Sequence, residues 1–180
     1  AAHACMEQNA IHVRISTGIR RSPTRCRPDF PGSTCERTGM TLLASIVATS
    51  RQVAGTSARS LKTRLLADCL RTLTIDELEM GVSYLSGEIR QGRIGIGPST
   101  LSASIGNAAS APSLELTEID RRLDELVAIR GSGSGQQRAA ALRALFGRAT
   151  REEQEFLARL LVGELRQGAL AGVMIDAIAA

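Results

Sequence analysis

Two short stretches of this sequence carry residue types suited to holding an anion. Gly131-Ser132-Gly133-Ser134-Gly135 leads into a helical pattern that carries Gln136, Gln137 and Arg138. Backbone N–H groups at a helix N-terminus point outward and, with the helix dipole, favour negative charge. Glycines let a phosphate approach the backbone closely, and Arg138, one turn in, adds a charge-assisted donor. No Gly-Lys-Ser/Thr follows and no strand precedes, so this is not a P-loop. Thr56-Ser57-Ala58-Arg59-Ser60-Leu61-Lys62 is a second small polar stretch that opens a helix, again with a cation near the first turn. Taken singly, each also reads as a plain connection between helices.

The two stretches are related by a repeat. Leu85-Ser-Gly-Glu-Ile-Arg-Gln-Gly92 and Leu161-Val-Gly-Glu-Leu-Arg-Gln-Gly168 agree at six of eight positions, 76 residues apart. The same offset pairs Thr74 with Thr150, Glu77 with Glu153, Met80 with Phe156 and Lys62 with Arg138. It also pairs Thr56-Ser57 with Ser132-Gly133. Two copies are too few for a solenoid. They predict two similar helical halves packed about a pseudo-twofold axis. Two anion-holding loops so related would grip two phosphate backbones, a contact that positions a duplex without reading bases.

Other chemistry finds little support. Both histidines, His3 and His12, fall in the first 39 residues, so no Ser/His/Asp set forms in the core. Cys69 lies in an apolar helical pattern and reads as a buried small hydrophobe. Asp76, Glu77, Glu152 and Glu153 fall at helix starts, where the dipole accounts for them. No catalytic residue is assigned. Cys26 and Cys35 have eight residues between them and no Cys-x2-Cys pair occurs, so no metal site is assigned either.

The elements that must position these loops read as helices throughout. Residues 41–54 form one candidate. Leu61, Leu65 and Cys69 recur every four, flanked by Leu66, Leu70 and Leu73, and Ile75, Leu78, Val82, Leu85 and Ile89 step by three and four. Thr74-x-x-Glu77 and Thr150-x-x-Glu153 are capping boxes, with Ser134-x-x-Gln137 and Thr117-x-x-Asp120 as further starts. Arg90-Gln91-Gly92 and Arg166-Gln167-Gly168 are expected to end their helices with Gly at the C-cap. Ile119, Leu123, Leu126 and Val127 mark a helix leading into the second half. Leu170, Val173, Met174, Ala177 and Ile178 form a last amphipathic face, within which the chain stops; that suggests a longer parent protein. The fold class expected is all-α. The first half spans 40–97, a Ser/Ala/Gly/Pro-rich linker 98–113 and the second half 114–180. Residues 1–39 show no period and are expected to be a disordered or non-native tail, with Met40 as the natural start.

Composition sets the bounds. The chain has 180 residues, with 22 Lys+Arg against 18 Asp+Glu and 43% hydrophobic residues. No apolar run approaches the roughly 18 residues of a membrane span. Only four residues are aromatic, too few for a stacking platform for single strands. Residues 1–39 carry six Arg and three acids, leaving residues 40–180 with a net charge of only +1. Lys62 is the only lysine.

Together, the two halves, the Ser57-Ala-Arg-Ser-Leu-Lys62 loop, the Gly131–Gly135 loop and Gly163-Glu-Leu-Arg-Gln-Gly-Ala-Leu170 resemble the N-terminal DNA-binding domain of ATP-dependent DNA ligases of the actinobacterial type, over residues 40–180. The resemblance implies an all-helical domain that grips nicked duplex DNA through its minor groove, in repair, replication or recombination. Separate adenylation and OB-fold domains would do the chemistry. It implies DNA contacts at Thr56, Ser57, Arg59 and Lys62, and at Gly131, Ser132, Gly133, Ser134 and Arg138. ATP and Mg2+ are implied for the full-length ligase, and none in this chain. The family nucleophile is the lysine of Lys-x-Asp-Gly; Lys62 is followed by Thr-Arg-Leu, so the chain is expected to be inactive alone. A cytoplasmic monomer is expected. The alternative is a helical protein-interaction module that binds no DNA, motivated by the near-neutral charge of residues 40–180.

Overall fold

A computed structural model describes residues 40–92, 94–165 and 170–180. The expected tail over 1–39 and the Arg166-Gln167-Gly168 helix end lie outside the described residues. The rest belongs to one compact unit, Thr38–Ala180. Among the described residues eight helices follow one another: α1 (Leu43–Ala54), α2 (Arg59–Leu70), α3 (Ile75–Ser86), α4 (Pro98–Ser102), α5 (Leu116–Ala128), α6 (Ser134–Arg148), α7 (Arg151–Leu161) and α8 (Leu170–Ala179). Among the described residues there is no strand beyond a single antiparallel bridge, so the fold is all-α as expected.

The 76-residue offset carries the start of α3 onto that of α7, from Ile75 to Arg151, and the start of α2 to within one residue of that of α6. The packing follows the same exchange. α1 packs on α2 and α5 on α6; α1 also packs on α7 and α5 on α3. α8 lies on α2, and α4 lies on α6. The bridge joins Leu42 to Glu115, the residues that precede α1 and α5. The Leu43 N–H donates to the Leu114 carbonyl at 2.8 Å, and the Leu116 N–H donates to the Thr41 carbonyl at 3.0 Å. Backbone donors at the starts of two central helices are thereby satisfied by each other's segment, which needs no side-chain cap.

One apolar core runs through both halves. Leu43, Ile46, Leu66, Tyr84 and Leu85 from the first meet Leu116, Ile119, Leu123, Phe146 and Leu157 from the second, all completely buried. Truncating one such leucine to alanine costs about 2–5 kcal/mol, from lost transfer energy and the cavity left behind. Cys69 is buried as expected, and burial pushes its thiol up despite a hydrogen bond from Thr49.

The structure corrects several local expectations. On α3, Ile75 is 87% exposed and Leu78 lies at the surface, whereas Glu77, Met80, Gly81, Tyr84 and Leu85 face inward. The capping box turns this helix. Glu77 is 1% exposed and its carboxylate accepts from the Thr74 N–H at 3.0 Å, the Thr41 N–H at 2.6 Å and the Thr41 hydroxyl at 2.8 Å. With Glu77 held inward, Tyr84, seven residues on, must face inward as well. On α2 the buried set is Leu66, Ala67, Cys69 and Leu70, and Leu61 is exposed. On α8, Val173, Met174 and Ala177 are buried but Ile178 is exposed.

Helix ends move too. α3 stops at Ser86, not at Gly92. Gly87 takes φ +83, the Glu88 N–H returns to the Ser83 carbonyl at 2.9 Å, and a Cβ at Gly87 would meet the Leu165 carbonyl oxygen at 2.3 Å. Glycine is therefore required there twice, by conformation and by space. α7 ends the same way, with the Glu164 N–H on the Arg159 carbonyl. Thr117 lies inside α5, whose N-cap is Glu115, and Ser134 is the first residue of α6, whose N-cap is Gly133. The segment 98–113 contains α4, which starts with Pro at its first turn and buries Leu101.

Candidate nucleic-acid interface

Four helix N-termini in the repeat fall into two kinds. α3 and α7 are closed. Thr74 and Thr150 open capping boxes, and each first turn carries two acids, Asp76 with Glu77 and Glu152 with Glu153. At Thr150 both arms are drawn: the Glu153 N–H donates to its hydroxyl at 3.4 Å and its own N–H donates to the Glu153 carboxylate at 2.8 Å. α2 and α6 are open. Their N-caps are Ala58 and Gly133, neither helix has a side-chain cap, and neither has an acid in its first turn.

The open ends leave backbone donors unspent. In α2 the first N–H to find a helical acceptor is that of Lys62, on the Ala58 carbonyl at 3.0 Å. The N–H groups of Arg59, Ser60 and Leu61 therefore point out of the helix end. Thr56 shapes the approach: its hydroxyl accepts from the Ala58 N–H at 3.3 Å, while Ser57 is exposed. In α6, Gln136 and Gln137 both donate to the Gly133 carbonyl, and Ser134 donates to the Gly131 carbonyl at 3.2 Å. The N–H groups of Ser132, Gly133 and Gly135 have no backbone acceptor among the described residues. Gly131 and Gly133 take φ +91 and +78, which only glycine adopts freely, and both are exposed. The loop is thus folded so that amides face outward.

The cations around these ends are placed less uniformly than their spacing suggests. Arg59 is exposed and pairs with Asp176 of α8, through Nη2 at 2.7 Å and Nε at 3.2 Å. Lys62 is half-buried, lining a groove of about 430 Å3 between α1, α2 and α7 with Arg51, Arg159, Glu152 and Phe156. Arg138 is half-buried beneath its loop, where Nη2 donates to the Ile129 carbonyl at 2.7 Å. Its Nε is buried with no partner among the described residues. So Thr56, Ser57 and Arg59 gather at one open end, and Gly131, Ser132, Gly133 and Ser134 at the other. Lys62 faces a neighbouring groove, and Arg138 buttresses the loop from below.

Sequence reasoning missed three participants. Arg130, next to the glycine loop, is exposed and has no ion-pair partner among the described residues. Its place just before Gly131 was available as a signal. Asp176 is 117 residues from Arg59, and no local pattern predicts the pair. Arg90, expected near a helix C-terminus, instead reaches Asp120 and Asp124 of α5. A group of three His, Cys, Asp or Glu arranged to hold a metal is absent among the described residues, and no helix there is long and apolar enough to cross a membrane.

Comparison with known proteins adds sequence relatives to this geometry. Residues 99–179 match the family described as DNA ligase N terminus. A probable DNA ligase of Anaeromyxobacter sp. (strain Fw109-5) is 52% identical over 139 residues, which are 76% of this chain and 27% of that protein. One from Saccharopolyspora erythraea is 51% identical over 141 residues, 78% of this chain and 28% of that protein. One from Rhodococcus jostii (strain RHA1) is 48% identical over 139 residues, 77% of this chain and 28% of that protein. The chain thus spans little more than a quarter of the length of these curated relatives. By these matches its helical unit is similar to the N-terminal part of probable DNA ligases.

Proposed function

We propose that this unit binds duplex DNA without sequence preference, through phosphate contacts at the open ends of α2 and α6 either side of a minor groove. The halves would be related by a pseudo-twofold axis, a reading that the exchanged helix packing supports. The single observation that carries the proposal is the contrast in capping. Cations stand at two helix N-termini where the dipole disfavours them, and the same chain caps the two neighbouring helices with acids. A bound phosphate would satisfy the free amides and compete with Asp176 for Arg59.

In the longer protein, this unit would hold nicked DNA for adenylation and OB-fold domains in repair, replication or recombination, in the cytoplasm and as a monomer. ATP and Mg2+ would be used by those domains. The residues here do not fit ATP chemistry: Lys62 is followed by Thr63-Arg64-Leu65 and lines a groove beside Glu152 and Phe156. No catalytic step is assigned to this chain.

The test is a titration of labelled nicked duplex by fluorescence anisotropy between about 50 and 200 mM salt. Log affinity should fall linearly with log salt, by about 0.9 per phosphate contacted, and equally for unrelated sequences. No binding at the lowest salt would overturn the proposal. The exposed apolar face of α3 would then favour the second reading, a protein-interaction module. Leu78 and Val82 line a groove of about 450 Å3 with Leu70, Ala177 and Ile178.

A further inference from the structure

We propose that Arg90, Gln91, Asp120 and Asp124 form a positioning clasp that sets the spacing of the two open helix ends; the inference rests on the DNA-binding reading above. Arg90 and Gln91 belong to the first half and the two aspartates to the second, on α5. Arg90 donates through Nε to Asp120 Oδ1 at 3.3 Å, through Nη2 to Asp120 Oδ2, and through Nη2 to Asp124 Oδ2 at 3.4 Å. Gln91 Nε2 donates to Asp120 Oδ1 at 2.9 Å, to the Asp120 carbonyl at 3.3 Å and to Asp124 Oδ1 at 2.9 Å. The Asp120 side chain is 9% exposed and its carboxylate accepts from these donors of the other half.

Three observations set this cluster apart from an ordinary surface pair. It crosses between the halves as a four-residue network around a buried carboxylate, whereas Arg51–Glu152 and Arg59–Asp176 cross as single exposed pairs. It ties down the segment just after the Gly87 helix stop, where the backbone already touches Leu165 of the second half. And the repeat does not demand it, because α1, the counterpart of α5, carries no acid at all. A paired carboxylate buried as Asp120 is adds little net stability over an apolar side chain, and its best-attested use is to fix a register. The register fixed here is that of α3 against α5. α5 continues through Ile129 to the Gly131–Gly135 loop, and the backbone carbonyl of Ile129 holds Arg138. Two loops that must reach two strands at once gain affinity only while their separation matches the duplex.

The sign of one substitution separates positioning from bulk charge. Asp120→Asn removes a negative charge, so electrostatics alone would tighten DNA binding. The clasp predicts the opposite: affinity for the labelled nicked duplex at least about tenfold weaker, with a shallower salt slope because fewer phosphates are held together. In that background Lys62→Ala should add less than it does alone, since coupled sites are non-additive. Gln91→Ala changes no charge and should weaken binding in the same direction. It decides the matter if the Asp120 variant does not fold by circular dichroism. Unchanged or tighter binding by the folded variants, with the parent chain binding DNA, overturns the clasp alone. Failure of the parent chain to bind overturns the DNA reading and the clasp with it.

Discussion

Thr74 and Thr150 close the helices that follow them, whereas Ala58 and Gly133 leave theirs open. The two kinds alternate within each copy of the repeat, open then closed. The closed ends serve the fold: Glu77 and Glu153 are each 1% exposed, and Glu77 also anchors Thr41 at the start of α1. The open ends forgo stability. The missing cap costs about 0.5–2 kcal/mol at Ala58 and only about a few tenths at Gly133. Cations at an N-terminus forgo more. Sites that hold a ligand are where such locally unfavourable choices gather.

The largest expected effect lies at a closed end. Glu77→Ala removes the return arm of its box and strips the Thr41 N–H and hydroxyl of their acceptor. It should cost about 3 kcal/mol by urea denaturation, while the DNA salt slope of the folded protein stays as it was. Burial raises the Glu77 carboxyl, but hydrogen bonds from Thr41 and Thr74 outweigh it and hold the pKa below the ordinary value. Its charged form is therefore favoured by folding. That contribution is complete above the unfolded value near about 4.3 and disappears as pH falls through the lowered folded value. Glu118 has the same sign, through Arg148 and Arg122 working against burial. Glu77→Gln should flatten the acid limb of the stability curve. A steep limb unchanged in that variant would mean other carboxylates dominate.

Next comes closing an open end. Ala58→Asp supplies the missing cap at backbone angles of φ −73 and ψ 114, which suit an N-cap. It should raise stability by about 1 kcal/mol and lower DNA affinity by about tenfold, because the new carboxylate occupies the anion's place. Stability and binding moving in opposite directions is the signature of a site held open for a ligand. If both rise together, the open end of α2 is a mere lapse of capping.

Single cations should do less. Lys62→Ala should flatten the slope of log affinity against log salt by about one unit. Arg138→Ala should do the same if its remaining donors reach a phosphate. It should also lower stability by about 1 kcal/mol through the Ile129 carbonyl it satisfies. Arg130→Ala, exposed and without that bond, tests the same loop with no stability cost. A slope change for Arg130 and none for Arg138 would move the second contact from below the loop to its rim.

Much of this was legible in the sequence, and the failures have physical causes. The offset of 76 located both boxes and both loops because capping is written in local residues. Ile75 and Leu78 share the three-and-four spacing of Val82 and Leu85 yet are exposed, because periodicity gives a face but not its rotation. That rotation is set by Glu77 reaching Thr41, 36 residues away. The stop of α3 is expected at Gly92 in preference to Gly87, since the stretch offers both glycines. Only the close approach to Leu165 singles out Gly87. The partners of Arg59 and Arg90 are distant in sequence, set by how the halves pack.

The smallest effect is the most diagnostic of where α2 stands. Arg59 is held by Asp176 across exposed side chains, 64% and 48% accessible, so the pair is worth only about 0–1 kcal/mol. A phosphate at the α2 end must compete with that carboxylate. Asp176→Asn frees the guanidinium and removes a negative charge beside the site. Affinity for duplex DNA should rise about two- to fivefold at moderate salt, with little change in melting temperature. The gain should shrink as salt rises, because exposed charges are screened within about 10 Å at 0.1 M. Arg59→Ala should abolish most of it, since Asp176 then has no guanidinium to withhold. An Asp176→Asn gain that survives in the Arg59→Ala background would be a field effect of net charge, and it would remove Arg59 from the contacts. A gain confined to chains that retain Arg59 assigns that arginine to the DNA and makes α8 a weak competitor for it.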